Sequence, residues 1–287
     1  MRYSVGMNKV ELNNLIETVY DGWRENTFAP YALGDGPIWR RPLVGLAAGD
    51  DPVFVRYKEV IGPFHWTPQE VWDAAHPGES LSGSALTVAV LCFPQAEETV
   101  ADQASGGDAP APRWVFARNS WNAVVKPFYA SILAALARQG VRAVAVDQLP
   151  EFGLEPGGFA ARWSHRHAAY AAGLGTFGLS DGFISRAGMA VRFVTLILEG
   201  NWEADPRVSE DPHGWCLFFR SGSCKVCAAR CPAGAITPRG HDKEKCRAWL
   251  ERCHALYRNA PGFDVNVEAG CGLCQAGVPC AKASPVK

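Results

Sequence analysis

Cys224-Lys-Val-Cys227-Ala-Ala-Arg-Cys231-Pro232, followed by Cys246, then Cys271-Gly-Leu-Cys274-Gln275 and finally Cys280, decides what the C-terminal third of this chain builds. Every cysteine except Cys92 lies between Cys216 and Cys280. A four-iron cluster needs four thiolates converging on one small volume, and a C-x2-C turn supplies two of them. Eight thiols at these spacings suit two such cubes, which makes electron transfer the first function class to consider. Tetrahedral zinc uses the same C-x2-C chelate and stays open as an alternative. A disulfide framework would need an oxidising compartment. The N-terminal Met-Arg-Tyr-Ser-Val-Gly-Met-Asn-Lys-Val has neither an apolar signal segment nor twin arginines, so a cytoplasmic protein is expected.

The spacing departs once from the bacterial run C-x2-C-x2-C-x3-C-P, whose last cysteine reaches across to the other cluster. The first position of that run is Ser221 here. Cys216 lies five residues further back, and the intervening segment can loop out to bring its sulfur in as the missing ligand. Cys253, seven residues after Cys246 and on the same helical face, is the spare candidate. Cys92 sits in the apolar run Ala85 to Phe93 and reads as a buried core thiol.

At 287 residues with 48% hydrophobic content, the chain can bury a large core, and two domains are expected, 1–205 and 206–287. No stretch approaches the roughly 20 apolar residues of a membrane span, and a formal net charge of -1 leaves no footprint for nucleic acid. The balance is uneven. From Cys216 onward there are 11 Lys+Arg against 5 Asp+Glu, a net of +6, which leaves 17 against 24, or -7, for the rest. Cations near an anionic cluster raise its potential, and the same basic face suits an acidic electron donor such as a ferredoxin or flavodoxin.

Along the N-terminal part, Asn8 to Trp23 has helical apolar spacing, and Pro52 to Ile61 alternates like a strand. Thr67-Pro68-Gln69-Glu70 opens a short helix to about Ala75. Ala85 to Phe93 reads as a strand covered on both faces. Ala96 to Arg113 reads as a flexible insertion, Asn119 to Arg138 as a long helix ending at Gly140, and Val141–Asp147 and Met189–Glu199 as strands. Between those two strands lies Trp163-Ser-His-Arg-His-Ala-Ala-Tyr-Ala-Ala-Gly-Leu-Gly-Thr-Phe-Gly178. Ser164 can cap a helix of small residues, and Gly173, Gly175 and Gly178 permit turns that side chains would forbid. The G-x-G-x-x-G follows a helix and not a strand, so it is a poor dinucleotide fingerprint. Strand, helix, strand order implies an α/β sheet ahead of the cysteines.

Taken together, Ala172-Gly-Leu-Gly-Thr-Phe-Gly-Leu, the Cys-Pro run with Ala235-Ile236, Lys245-Cys246 and Gly270-Cys-Gly-Leu-Cys-Gln275 resemble the cobalamin-dependent iron-sulfur reductases, epoxyqueuosine reductase and the reductive dehalogenases among them. The resemblance covers Val141 to Cys280. It implies a nitroreductase-like α/β (α+β) domain that cradles cobalamin, followed by a dicluster ferredoxin-like domain. It implies one [4Fe-4S] cluster on Cys216, Cys224, Cys227 and Cys280, and a second on Cys231, Cys246, Cys271 and Cys274. Cobalamin contacts are expected from Trp163, Gly173, Gly175, Thr176, Phe177 and Gly178, and the proton donor from Asp147, His167 or Tyr170, with His165 a further alternative. Asp211-Pro-His213-Gly-Trp-Cys216 does not complete a cobalt-ligating histidine motif, so cobalamin is expected without a protein imidazole. The implied activity is reduction of a small electrophile, an epoxide or organohalide, with electron carriage or activation of a corrinoid protein as the alternative. The chain ends seven residues after Cys280, where epoxyqueuosine reductase commonly carries helical repeats that engage tRNA, which argues against a tRNA substrate.

Overall fold

A computed structural model describes residues 7–286. Its centre is a four-stranded sheet in the order β1-β2-β6-β3, formed by β1 (Leu43–Ala48), β2 (Leu86–Pro94), β3 (Ala143–Ala145) and β6 (Val191–Glu199). Every pairing in it is antiparallel. β2 is buried along its whole length, as the unbroken apolar run requires of a strand covered on both faces. Two short ribbons accompany the sheet: β4 (Gly175–Phe177) with β5 (Phe183–Ser185), and β7 (Ile236–Thr237) with β8 (Gly240–His241).

The helices are α1 (Lys9–Asp21), α2 (Pro52–Val60), α3 (Pro68–Ala75), α4 (Glu97–Ser105), α5 (Pro112–Asn119), α6 (Trp121–Arg138), α7 (His165–Ala171), α8 (Leu217–Ser221), α9 (Val226–Ala229) and α10 (Lys243–Tyr257). One face of the sheet packs on α1, α5 and α6 through Leu12, Ile16, Phe116, Phe128 and Ile132. The other packs on α2, α3 and α7 through Phe54, Trp72, Trp163 and Ala169. This is the mixed α and β architecture expected from the sequence. The C-terminal part is fastened to the first face: Cys253, Phe263 and Ala269 join that core, and the Asn119 side-chain amide donates to the carbonyls of Asp264 and Val267.

Two segments differ from their sequence reading. Pro52 to Ile61 is not a strand. Asp51 caps the Val53 amide at 2.9 Å with Pro52 in the first turn, and Phe54 and Tyr57 share the buried side of the resulting α2. The apparent alternation came from Val53 and Val55, which line an open cleft. Ala96 to Arg113 is largely ordered: α4 and the start of α5 occupy it, and the segment is tied down by Gln103, whose amide donates to the Cys271 carbonyl at 2.9 Å and whose oxygen accepts from the Ala111 amide at 2.7 Å. Acidic residues facing water hid the buried face made by Thr99, Val100 and Gln103.

Candidate functional site: a cleft beside two groups of thiols

The glycine block is built by close backbone approach. Gly173 ends α7 in the left-handed region (φ +71°), and a Cβ there would lie 2.3 Å from the Pro206 carbonyl; one at Gly175 would lie 2.0 Å from the Ile184 carbonyl. Thr176 is fully buried, and its hydroxyl accepts from the Trp215 amide at 3.1 Å. The Phe177 amide donates to the Pro212 carbonyl at 2.7 Å, and Gly178 closes onto the Gly182 carbonyl at 2.8 Å. The block therefore seats the segment that leads into Cys216. Gly173, Gly175, Thr176 and Gly178 act through this scaffold and do not line the large cleft, whereas Phe177 does.

That cleft has a volume of about 1750 Å³ and is walled by α2, α7, the starts of α6 and β6, and the loop 149–162. Asp147, Trp163, His165, His167, Tyr170 and Phe177 all reach it. Trp163 is mainly a core residue, stacked between Phe54 and His65 at centroid distances of 5.7 and 5.6 Å. His167 lies between Tyr57 (4.9 Å) and Phe177 (4.7 Å), with Nδ1 2.7 Å from the Ser164 hydroxyl. Ser164 thus occupies the cap position but spends its hydroxyl on this histidine and not on the helix backbone. Burial, with the Arg166 cation adding to it, lowers the His167 pKa to about 3, so the ring is neutral at physiological pH.

Tyr170 donates its hydroxyl to the Ser209 and Glu210 carbonyls at 3.1 and 2.9 Å. Burial raises its pKa, and that proton is committed to main-chain acceptors. Asp147 sits differently. β3 gives way to a single 3-10 turn over Val146–Gln148 that swings Asp147 to the cleft, where its Oδ1 is buried without a partner among the described residues. The Tyr129 hydroxyl is buried beside this carboxylate and faces it. Burial first, and then the Asp147 charge, push the Tyr129 pKa well up. His165 holds the Thr195 hydroxyl at 2.8 Å through Nδ1. Sequence reasoning overlooked Arg192, Trp121 and Tyr57 on the cleft wall. For Arg192 a signal existed, a lone cation inside the apolar run Met189 to Leu198.

The thiols form two groups. Cys216, Cys224, Cys227 and Cys280 line one hollow together with Ile184 and Met189. The seven residues between Cys216 and Cys224 include α8 and a left-handed Gly222, so the serine at the expected ligand position is bypassed. The Cys227 thiol is pushed up to about 11, by burial first and then by Cys216 and Cys224. Cys280 goes up to about 12, by burial and then by Cys227, Cys216 and Cys224. Such mutual perturbation means the sulfurs face one volume.

In the second group, Cys274 is pushed up by burial and then by Cys271, Cys246 and Cys231. Cys253, nearly inaccessible at 1% exposure, stands beside Cys271, and its proximity lowers the Cys271 thiol below the usual range. Cys253 thus belongs with the second group, while Cys216 completes the set of four in the first hollow. No three His, Cys, Asp or Glu side chains among the described residues close around a single metal-ion position. Gln275, next in sequence to Cys274, and Lys243, three residues before Cys246 in α10, line the cleft, while none of the thiols themselves does. Cys92 is a fully buried core thiol, pushed up to about 12 by burial.

No family model matches the chain, and no curated protein matches it. Among solved structures, the chain has the fold of the epoxyqueuosine reductases. The enzyme from Streptococcus thermophilus superposes with a TM-score of 0.54 at 14% identity, over 97% of this chain and 68% of that one. An epoxyqueuosine reductase bound to an epoxyqueuosine-modified tRNA-Tyr stem loop superposes at 0.51 with 16% identity, over 95% and 67%. The catabolic reductive dehalogenase NpRdhA gives 0.49 at 16% identity, over 85% of this chain and 30% of its own length. No helix among the described residues is long and apolar enough to cross a membrane.

Proposed function

We propose that this chain is a cobalamin- and iron-sulfur-dependent reductase acting on a small electrophile of the epoxide or organohalide type. What supports the reading is that nine thiols gather in two groups, four in one hollow and five, Cys253 among them, in the other, in a chain that also carries one cleft of about 1750 Å³ lined by Gln275 and Lys243 from the segments that bear the second group. The first set lies in a largely apolar hollow that draws all four sulfurs to one side, as a four-iron cube requires. The cleft offers flat walls, Phe177 and Tyr57 among them, wide enough for a macrocycle. When bound, the clusters and the corrinoid supply the one-electron relay and the low-potential reduction.

The chain's own residues do the rest. Asp147 lines the cleft beside the Tyr129 hydroxyl and is our candidate to hold and deliver a proton, since His167 is neutral and Tyr170 is bonded to carbonyls. The loop 149–162, with Phe152 and Phe159 on the cleft, limits water on that side. Arg220, Lys225 and the exposed Phe219 and Val226 surround the first thiol group, a basic and partly apolar rim suited to an acidic flavodoxin or ferredoxin.

Anaerobic reconstitution followed by iron, sulfide, cobalt and zinc analysis tests this. About eight irons per chain and about one bound cobalamin are expected. Fewer than about four irons, or stoichiometric zinc, overturns the dicluster assignment. Failure to bind added cobalamin removes the corrinoid step. Turnover of an epoxide or organohalide, compared with a tRNA stem loop and with an added corrinoid protein, separates the substrate classes.

A further inference from the structure

A short chain of side chains runs from the cleft to the second thiol group. Asp181 lines the cleft. Nδ1 of His241 lies 3.5 Å from the Asp181 carboxylate, and the same ring stands beside the Cys246 thiol. Both ends of this chain are held by backbone. Asp181 adopts the left-handed conformation (φ +56°), its amide donates to the Gly178 carbonyl at 3.0 Å, and its own carbonyl accepts from Arg166. His241 pairs with Ile236 in the β7–β8 ribbon and directly precedes Asp242, which caps α10, the helix that carries Cys246. The ribbon brings a second donor to the same group, since the Ala235 amide donates to the Cys231 sulfur at 3.4 Å. Asp181, His241 and Cys246 do not close around a single metal-ion position, so they form no mononuclear site of their own.

The first hollow is furnished differently. Leu179, Ile184, Leu217, Phe218 and Val278 line it, and no charged or imidazole side chain does. An electron entering a four-iron cube places negative charge on the ligand sulfurs, so an N–H aimed at a sulfur stabilises the reduced form and raises the potential. A carboxylate on one ring nitrogen fixes which way an imidazole points. With Nδ1 turned to Asp181, Nε2 is the nitrogen left for the sulfur. Resting on the dicluster reading above, we infer that His241, oriented by Asp181, donates an N–H to the Cys246 thiolate and makes the second cluster the more easily reduced of the two. His241 is then a positioning residue that acts through Cys246. The gradient runs one way, from the group beside the exposed basic rim of Arg220 and Lys225 to the group whose sequence neighbours Gln275 and Lys243 line the cleft.

Redox potentiometry of the reconstituted full chain, followed by electron paramagnetic resonance and with iron counted in each sample, tests the assignment. Wild type is expected to show two separate one-electron steps. His241→Leu should lower the upper step by about tenfold in its reduction equilibrium, or about 59 mV for a one-electron couple, the size of one charge-assisted hydrogen bond. The lower step and the iron content of about eight per chain should not change. His241→Gln keeps an N–H donor and should fall between. Asp181→Asn should move the upper step the same way by less, because the ring keeps its N–H and loses its orienting carboxylate. An upper step that stays in place in His241→Leu at full iron content overturns the inference. Two wild-type clusters that titrate as one, or a variant that moves both steps equally, also overturn it. Should His241→Leu lose iron, His241→Gln and Asp181→Asn decide, and an unmoved upper step in both overturns it. Fewer than about four irons in wild type refutes the dicluster reading and the inference with it, a failure visible before any potential is read.

Discussion

Lowering the pH should loosen the fold through His65, and the size of the effect can be worked out. His65 is 1% exposed, stacked on Trp163 and edge-on to Tyr57. Its Nε2 accepts from the Ser164 amide at 3.1 Å, which fixes the ring as neutral and places the start of α7. Burial first, and then the Lys58 cation, lower its pKa from 6.5 to about 4. A folded-state pKa below the unfolded one means the unfolded chain takes up the proton first. The stabilisation is therefore complete above pH 6.5 and is lost as pH falls towards 4. At about 1.4 kcal/mol per unit, the linkage gives about 2 kcal/mol lost by pH 5 and about 3 kcal/mol once both states are protonated.

The assay is urea unfolding of the reconstituted protein and of His65→Gln between pH 7.5 and 4.5. Glutamine keeps an acceptor for the Ser164 amide and cannot titrate. His65→Gln should lose stability at pH 7.5 through imperfect packing, and the gap between the two proteins should narrow by about 2 kcal/mol on going to pH 5. A gap that stays constant across this range would show that His65 does not carry the linkage, and the account of α7's anchorage would be wrong.

Two substitutions at the thiols have opposite expected outcomes. Cys216→Ser should bind about four irons fewer than wild type, whereas Cys253→Ala should keep the full complement, both read by iron and sulfide analysis. Asp147→Asn should bind cobalamin as wild type does and lose about 100-fold or more in steady-state turnover of whichever small electrophile proves active, the usual size of a general-acid contribution.

The parts of the fold that could be read directly were those whose patterns are local. Thr67 and Glu70 form the capping box that opens α3, and the apolar run around Cys92 became the fully buried β2. Spacing alone offered Cys216 as a substitute for the missing first cysteine and the family resemblance grouped it with Cys280; the two line one hollow, with α8 taking up the segment between Cys216 and Cys224. What escaped depended on contacts distant in sequence. Pro52 to Ile61 did carry a local helix start in Asp51-Pro52, outweighed in the sequence by its apolar alternation, and the burial of Phe54 against Trp163, over a hundred residues away, shows which side faces the core. α4 was masked because its buried polar Gln103 is satisfied by the Cys271 carbonyl. The glycine block was legible as a place needing bare backbone, but its partners, the Pro206 and Ile184 carbonyls, emerge only once the chain folds back on itself.

Those main-chain contacts have a mechanical consequence. The strip running from Pro206 to Trp215, which leads into Cys216, is held against the glycine block by the close approach of Gly173 to the Pro206 carbonyl, the Phe177–Pro212 main-chain bond and the buried Thr176 hydroxyl, so its position depends on bare backbone more than on long side chains. A seam built this way tolerates change on the outer surface far better than a single added methyl group within it.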